Sequence, residues 1–182
     1  KNVTFQEKLG SVYDKTIRTK EFVEYLAKKS SYDNKGILTQ DVARAAQICK
    51  ADLVSQVVIE FTKLQGIIGR VYAQKTSEKE AVALAIEQHY RPVYSGGQLP
   101  DNPTSCLLAI ADKLDTICGC FSVDLIPTGG ADPYALRRQG IGIIQIMLQE
   151  NMKVSLTDMI EKGLEAYIDE EADRQKTAIK IK

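Results

Sequence analysis

Residues 106–121 constrain the fold of this chain more than any other segment. The run CLLAIADKLDTICGCF is apolar or small except at Asp112, Lys113, Asp115 and Thr116. A helix drawn through it carries apolar residues on nearly every side, so it is buried on most of its circumference. It falls short of the roughly 20 residues needed to span a bilayer. Other helices of the same chain must therefore cover it. Asp112 and Asp115 lie three residues apart and share one face. Burying an unpaired charge costs several kcal/mol, so these carboxylates require partners. Two readings stand: they hold a metal or another cation, or they pair with Lys or Arg and set the register of the helix.

The rest of the chain also reads as helix. Apolar residues from Phe5 through Leu9, Val12, Tyr13 and Ile17 recur at three-to-four spacing and predict a first helix reaching Lys28–Lys29. A loop is expected at residues 30–36. Thr39 is a candidate cap for a second helix, which draws its apolar content from Ala43, Ala46, Ile48 and residues 53–59. Gly66, Gly69 and Ala73 form a small-residue stripe on a short third helix. Glycine costs about 1 kcal/mol per helical site, so two on one stripe predict that another backbone approaches closely there. Ser77 and Glu80 form a candidate capping box for the next helix, which stops before Pro92. Asp132 with Pro133 at the first position predicts another helix to about Glu150, and a last one starts at Ser155. From Asp158 to Asp173 that final helix carries seven acids against the single base Lys162. No segment alternates as a strand with hairpin turns. The expected architecture is an all-α bundle of seven or eight helices, in one domain or one domain with a helical appendage.

The 182 residues include 24 basic and 24 acidic side chains, which excludes a uniformly basic nucleic-acid binder but leaves local basic patches. Two such patches are candidates for phosphate-backbone contact: Lys15, Arg18 and Lys20 within two turns of the first helix, and the adjacent Arg137 and Arg138. Cations at the start of a capped helix oppose its dipole, so the arginine pair implies an anionic partner, either a phosphate or Asp112 or Asp115. Lys50 and Asp52 interrupt an apolar face and join Asp112 and Asp115 as a candidate buried polar network. Four cysteines without a C-x-x-C pair, and a single His, do not compose a zinc site. They read as reduced thiols, as in a cytosolic protein. No Walker A loop, no G-x-S-x-G and no nucleophile–base pair is present, and no catalytic residue is assigned.

Several ordered motifs resemble the beta subunit of the bacterial tetrameric glycyl-tRNA synthetases. They are Phe5-Gln6-x-x-Leu9-Gly10 with Tyr13-Asp14-Lys15, Cys49-Lys50-Ala51-Asp52-Leu53, and Glu60-Phe61-x-x-Leu64-Gln65-Gly66. Further along come Glu87-x-His89-Tyr90-x-Pro92, Ala111-Asp112-Lys113-Leu114-Asp115-Thr116, Pro127-Thr128-Gly129 and Asp132-Pro133-Tyr134-Ala135-Leu136-Arg137-Arg138. The resemblance covers roughly residues 1–150. It implies an internal piece of a subunit that works in an α2β2 assembly with the alpha subunit. The whole enzyme joins glycine to its tRNA in the cytoplasm using ATP and Mg²⁺, glycine activation belonging to the alpha subunit. This piece would be a structural, tRNA-facing domain with no cofactor and no membrane contact of its own. Residues 151–182 would extend toward an anticodon-binding domain that the chain is too short to complete.

The same segment is similar to the HD-domain phosphohydrolases, which implies an HD-like helical fold. A metal-dependent phosphohydrolase is thus an alternative, and a purely structural inter-domain module is a third reading. At the His-Asp dyad position this sequence has Cys49-Lys50 or Ala51-Asp52, without His. The Lys50 ammonium then stands where a metal charge would be and satisfies Asp112. The expected outcome is that elemental analysis of the purified chain finds no stoichiometric Mn, Fe, Co or Ni; one ion per chain, lost on Asp112→Ala, would refute the Lys50 reading.

Overall fold

A computed structural model of the chain describes residues 3–30 and 37–181. The loop expected at residues 30–36 lies outside them apart from Ser30. Thr4–Gln6 (β1) and Gly10–Ser11 (β2) form a small antiparallel hairpin, where helix was expected from Phe5 onward. The cause is local. Gly10 takes a left-handed φ of 86°, and Ser11 then caps α1, Val12–Lys29, in a reciprocal box with Asp14. Lys28 and Lys29 occupy the last turn, the end of the dipole that favours cations.

The second helix, α2 (Ile37–Ile48), is shorter than its apolar content predicted. Residues 51–54 make a single 3-10 turn, and Ser55 caps a short α3, Gln56–Glu60. Then α4 (Ile67–Lys75) begins after Gly66, whose φ is 79°. The helix α5 spans Glu80–Gln88, but the capping box expected at Ser77 and Glu80 does not form. Ser77 has φ 61°, outside the extended geometry of a cap, and Glu80 pairs with Arg70, so the reciprocal box does not close.

The apolar run is the central helix, α6 (Pro103–Ser122), with Asn102 capping the N–H of Ser105. It packs against α1, α2, α5 and three later helices: α7 (Leu136–Gln149), α8 (Leu156–Leu164) and α9 (Glu171–Ile181). Leu107, Leu108, Ile110 and Ala111 are fully buried in the middle of that cage. Asp132 accepts the N–H groups of Leu136 and Arg137, yet α7 starts three residues later than Pro133 because Ala135 is left-handed. The acidic C-terminal stretch is two helices rather than one, and Met159, Ile160, Leu164 and Ala178 join the same buried cluster as α6. Among the described residues there are nine α-helices and no helix long and apolar enough to cross a membrane.

At Gly69 on α4 the close approach is to side chains of other elements, where the sequence implied another backbone. A Cβ on Gly69 would stand 2.6 Å from Ile86 Cγ2 and 3.1 Å from Asp52 Oδ2. Gly69→Ala is therefore expected to destabilise the fold by about 1–3 kcal/mol in denaturant unfolding, an overpacking cost. Ile86→Leu, which removes the offending branch, is expected to recover part of it; equal midpoints for wild type and Gly69→Ala would contradict this packing.

Candidate functional site

The polar groups of α6 meet two lysines from opposite sides. From α1, Lys15 reaches across with only 4% of its side chain exposed. Its ammonium lies 2.7 Å from the Asp112 carbonyl, 2.8 Å from Thr116 Oγ1 and 3.1 Å from Asp115 Oδ2. It also sits 3.4 Å from Asp112 Oδ1. Lys50, just after α2, approaches from the other side, 3.2 Å from Asp112 Oδ1 and 3.3 Å from Oδ2. Burial raises the Asp112 carboxyl, but the flanking Lys15 and Lys50 charges outweigh it and hold the group well below the usual range. Burial likewise penalises the Lys50 ammonium, and Asp112 more than restores it, so the pair is ionised.

Asp115 anchors the other half of the cluster. Arg18 Nε donates to its Oδ1 at 2.9 Å, and the Tyr167 hydroxyl donates to the same oxygen at 2.8 Å. The Arg18 guanidinium also lies over the Tyr167 ring, 4.7 Å from its centroid. Three cations thus share two carboxylates in a largely dry site. This placement takes Lys15 and Arg18 out of the phosphate-contact patch expected of Lys15, Arg18 and Lys20. Lys15 and Arg18 point inward to Asp115, because α1 buries that face on α6. Only Lys20 is on the surface, 4.0 Å from Glu24.

Asp52 does not join this cluster. Its Oδ2 accepts the N–H groups of Gly66 at 2.6 Å and Gly69 at 3.2 Å, closing the first turn of α4. Arg137 is exposed and donates to the carbonyls of Gly129 and Pro127, which answers the puzzle of a cation at a helix start without any Asp112 contact. Arg138 is exposed at the rim of a cavity of about 860 Å³.

Four participants carried no decisive signal in the sequence: His89, Tyr90, Lys113 and Tyr167. His89 is fully buried, and its Nδ1 lies 2.8 Å from the Ile86 carbonyl. That contact assigns the proton to Nδ1 and leaves Nε2 to accept from Lys50 at 2.7 Å. Burial, and then the Lys50 charge, push the imidazole well below its ordinary value, so it is neutral. Lys50 further lies over the Tyr90 ring at 4.1 Å. Lys113, on the α6 face toward the cavity, donates to the carbonyls of His89 and Arg91 at 2.9 and 2.7 Å, and burial lowers it to about 8. The spacing of His89 and Lys113 showed only that each is helical; their meeting depends on how α5 and α6 cross.

The arrangement supports ion pairing and anion attraction. Among the described residues, no three His, Cys, Asp or Glu side chains converge as metal ligands. All four cysteines are free and buried, with Cys49 and Cys106 pushed up to about 12 by burial, far from a reactive thiolate.

The site and fold define a helical module whose polar interior is closed by ion pairs. Known proteins identify the group to which it belongs. Residues 1–180 match the family model for the glycyl-tRNA synthetase beta subunit. A glycine–tRNA ligase beta subunit of Desulforapulum autotrophicum is 60% identical over 167 residues, covering 92% of this chain and 24% of the relative. One from Desulfatibacillum aliphaticivorans is 48% identical over 172 residues, 94% of this chain and 24% of the relative. A Buchnera aphidicola counterpart is 48% identical over 167 residues, with 92% and 24% covered. The chain belongs to the glycyl-tRNA synthetase beta subunit family. It spans about 24% of the length of these curated relatives.

Asp112→Ala is expected to destabilise the fold by roughly 3–5 kcal/mol, because Lys15 and Lys50 lose a shared counter-charge in a buried site. The acid limb carries a second signature. Asp112 and His89 both have folded values below their unfolded ones, so the unfolded chain takes up protons first as pH falls. Stability is expected to decline below about pH 6.5 for His89 and further below about 3.9 for Asp112. A flat unfolding midpoint between pH 7 and 4 would contradict the placement of His89, and a flat one between about pH 4 and 2 that of Asp112.

Proposed function

We propose that this chain is a non-catalytic, tRNA-facing helical module of a glycine–tRNA ligase beta subunit. In this reading the complete enzyme is a cytoplasmic α2β2 assembly that joins glycine to its tRNA with ATP and Mg²⁺. Glycine activation then falls to the alpha subunit. One observation carries the non-catalytic part: the Asp112 carboxylate is held between the Lys15 and Lys50 ammonium groups, with neutral His89 behind Lys50. In an HD-type reading of the fold, Lys50 supplies the charge that a metal supplies in the phosphohydrolases. The residues present do not suit Mg²⁺, a hard cation that is held by carboxylates and phosphates. The cavity offers only Glu87 and Asp112, and each already faces two cations. In this reading Mg²⁺ and the ATP-dependent activation of glycine belong elsewhere in the assembly.

The tRNA contact is assigned to the half-exposed Lys20 and the exposed Arg137, since Lys15 and Arg18 are occupied inside and Arg138 stands at the rim of the cavity. Net charge is zero, so attraction is local rather than a global field. Contacts of this type position RNA without reading its sequence. Removing two charges with Lys20→Gln and Arg137→Gln in the complete assembly is expected to weaken tRNA binding by roughly 3–10-fold and to flatten the dependence of log K on log[salt]. Glycyl-adenylate formation is expected to be unchanged. Unchanged affinity and slope would instead assign the chain a purely structural role between domains.

A further inference from the structure

The cavity between α1, α5, α6 and the start of α7 has more positive charge than the fold uses. Its volume of about 860 Å³ is within the range of small-molecule sites, roughly 300–1,000 Å³. Six cationic side chains line it: Lys15, Lys50, Lys63, Arg91, Lys113 and Arg138. The two lining carboxylates are already committed. Asp112 faces Lys15 and Lys50, and Glu87 faces Arg70 and Arg91. Among the described residues, Lys63, Lys113 and Arg138 have no carboxylate within 4 Å.

Lys113 is the informative one. It is 5% exposed, and two of its three N–H groups go to the backbone carbonyls of His89 and Arg91. A buried ammonium held by neutral carbonyls has no carboxylate in direct contact, and burying charge in that state is costly. Arg91 adds a second deficit: its Nη1 is buried with no hydrogen-bond partner. Unlike a surface lysine cluster, this is a built concavity with a charged donor at its wall and an orphaned guanidinium N–H beside it. Leu53, Val93 and Tyr134 supply apolar wall for a part of the ligand that carries no charge.

We propose that this cavity is a binding site for a small phosphate-bearing molecule of nucleotide size, with Lys113, Arg138 and Lys63 receiving its phosphate oxygens. Guanidinium and ammonium donors suit phosphate oxygens in geometry and charge. A small ligand, rather than a polynucleotide backbone, follows from the depth of Lys113. Duplex phosphates lie on the outside of a wide rigid cylinder and do not enter a recess to meet a buried ammonium. The inference does not rest on the tRNA-facing reading, which uses Lys20 and Arg137 and leaves Arg138 to the cavity.

The test uses the full-length polypeptide that carries these residues, free of any partner subunit. Inorganic pyrophosphate, ATP and tRNA are each titrated calorimetrically. Saturable one-site binding of pyrophosphate or ATP is expected, weakening with salt. Lys63→Gln with Arg138→Gln, both at exposed positions, is expected to cut that affinity at least tenfold without changing the melting temperature. Lys162→Gln with Lys176→Gln, cations remote from the cavity, is expected to leave it unaltered. Pyrophosphate is also expected to raise the melting temperature of the wild type, a reading that needs no variant. Absence of saturation by both small ligands overturns the proposal, as does equal affinity in the Lys63/Arg138 variant. Saturable binding of tRNA alone, with no competition from pyrophosphate, also overturns it and gives the excess charge to the RNA face. Loss of tRNA binding in the Lys20/Arg137 variant, with pyrophosphate binding intact, separates the two readings.

Discussion

Two ammonium groups clamp one carboxylate at the centre of this fold, and the positions of the neighbouring helices follow from that clamp. Asp112 projects from the most buried helix, with Lys15 from α1 on one side and Lys50 from the end of α2 on the other. Ion pairs of this kind give little net stability, since desolvation consumes most of the Coulombic gain. They are strict about register, however. A slip of one residue in α1 turns Lys15 by about 100° around the helix axis, away from Asp112, Asp115 and Thr116. The clamp therefore fixes where α1 and the α2 terminus sit on α6.

The second consequence is chemical. Lys50 touches Asp112, His89 and the Tyr90 ring at once, so three groups that are reactive in other settings are each occupied by the same cation. His89 is neutral, its Nδ1 spent on the Ile86 carbonyl and its Nε2 on Lys50. An acid and an imidazole in contact range of one centre would ordinarily suggest proton transfer or metal ligation. Here the ammonium makes them a static support. The same supply of lysines and arginines, once the clamp is satisfied, leaves a positive surplus around the adjoining cavity.

Much of the architecture was legible because it depends on local rules. The breadth of apolar residues over 106–121 required a caged central helix. Asp112 and Asp115 on one face required cationic partners, and Lys50 is among those the structure places there. Local rules failed where competing partners existed. Ser77 and Glu80 have the spacing of a capping box, but Arg70 and Gln74 take Glu80, and the turn opens. The apolar spacing from Phe5 suggested helix, but Gly10 and the Ser11 cap set the helix start later.

By itself the sequence determined the all-helical class, the central helix and the need to neutralise two carboxylates within it. Those properties follow from side-chain periodicity and the cost of burying charge, which act over a few residues. Only the tertiary structure decided which cations do the neutralising. Lys15, Arg18 and Lys20 look alike along α1, yet Lys15 and Arg18 turn inward because that face of the helix packs on α6, while Lys20 stays in water. Lys113 and His89 likewise meet across 24 residues of chain, Lys113 donating to the His89 carbonyl. No pattern in the sequence encodes that contact, because it is set by the crossing of α5 over α6.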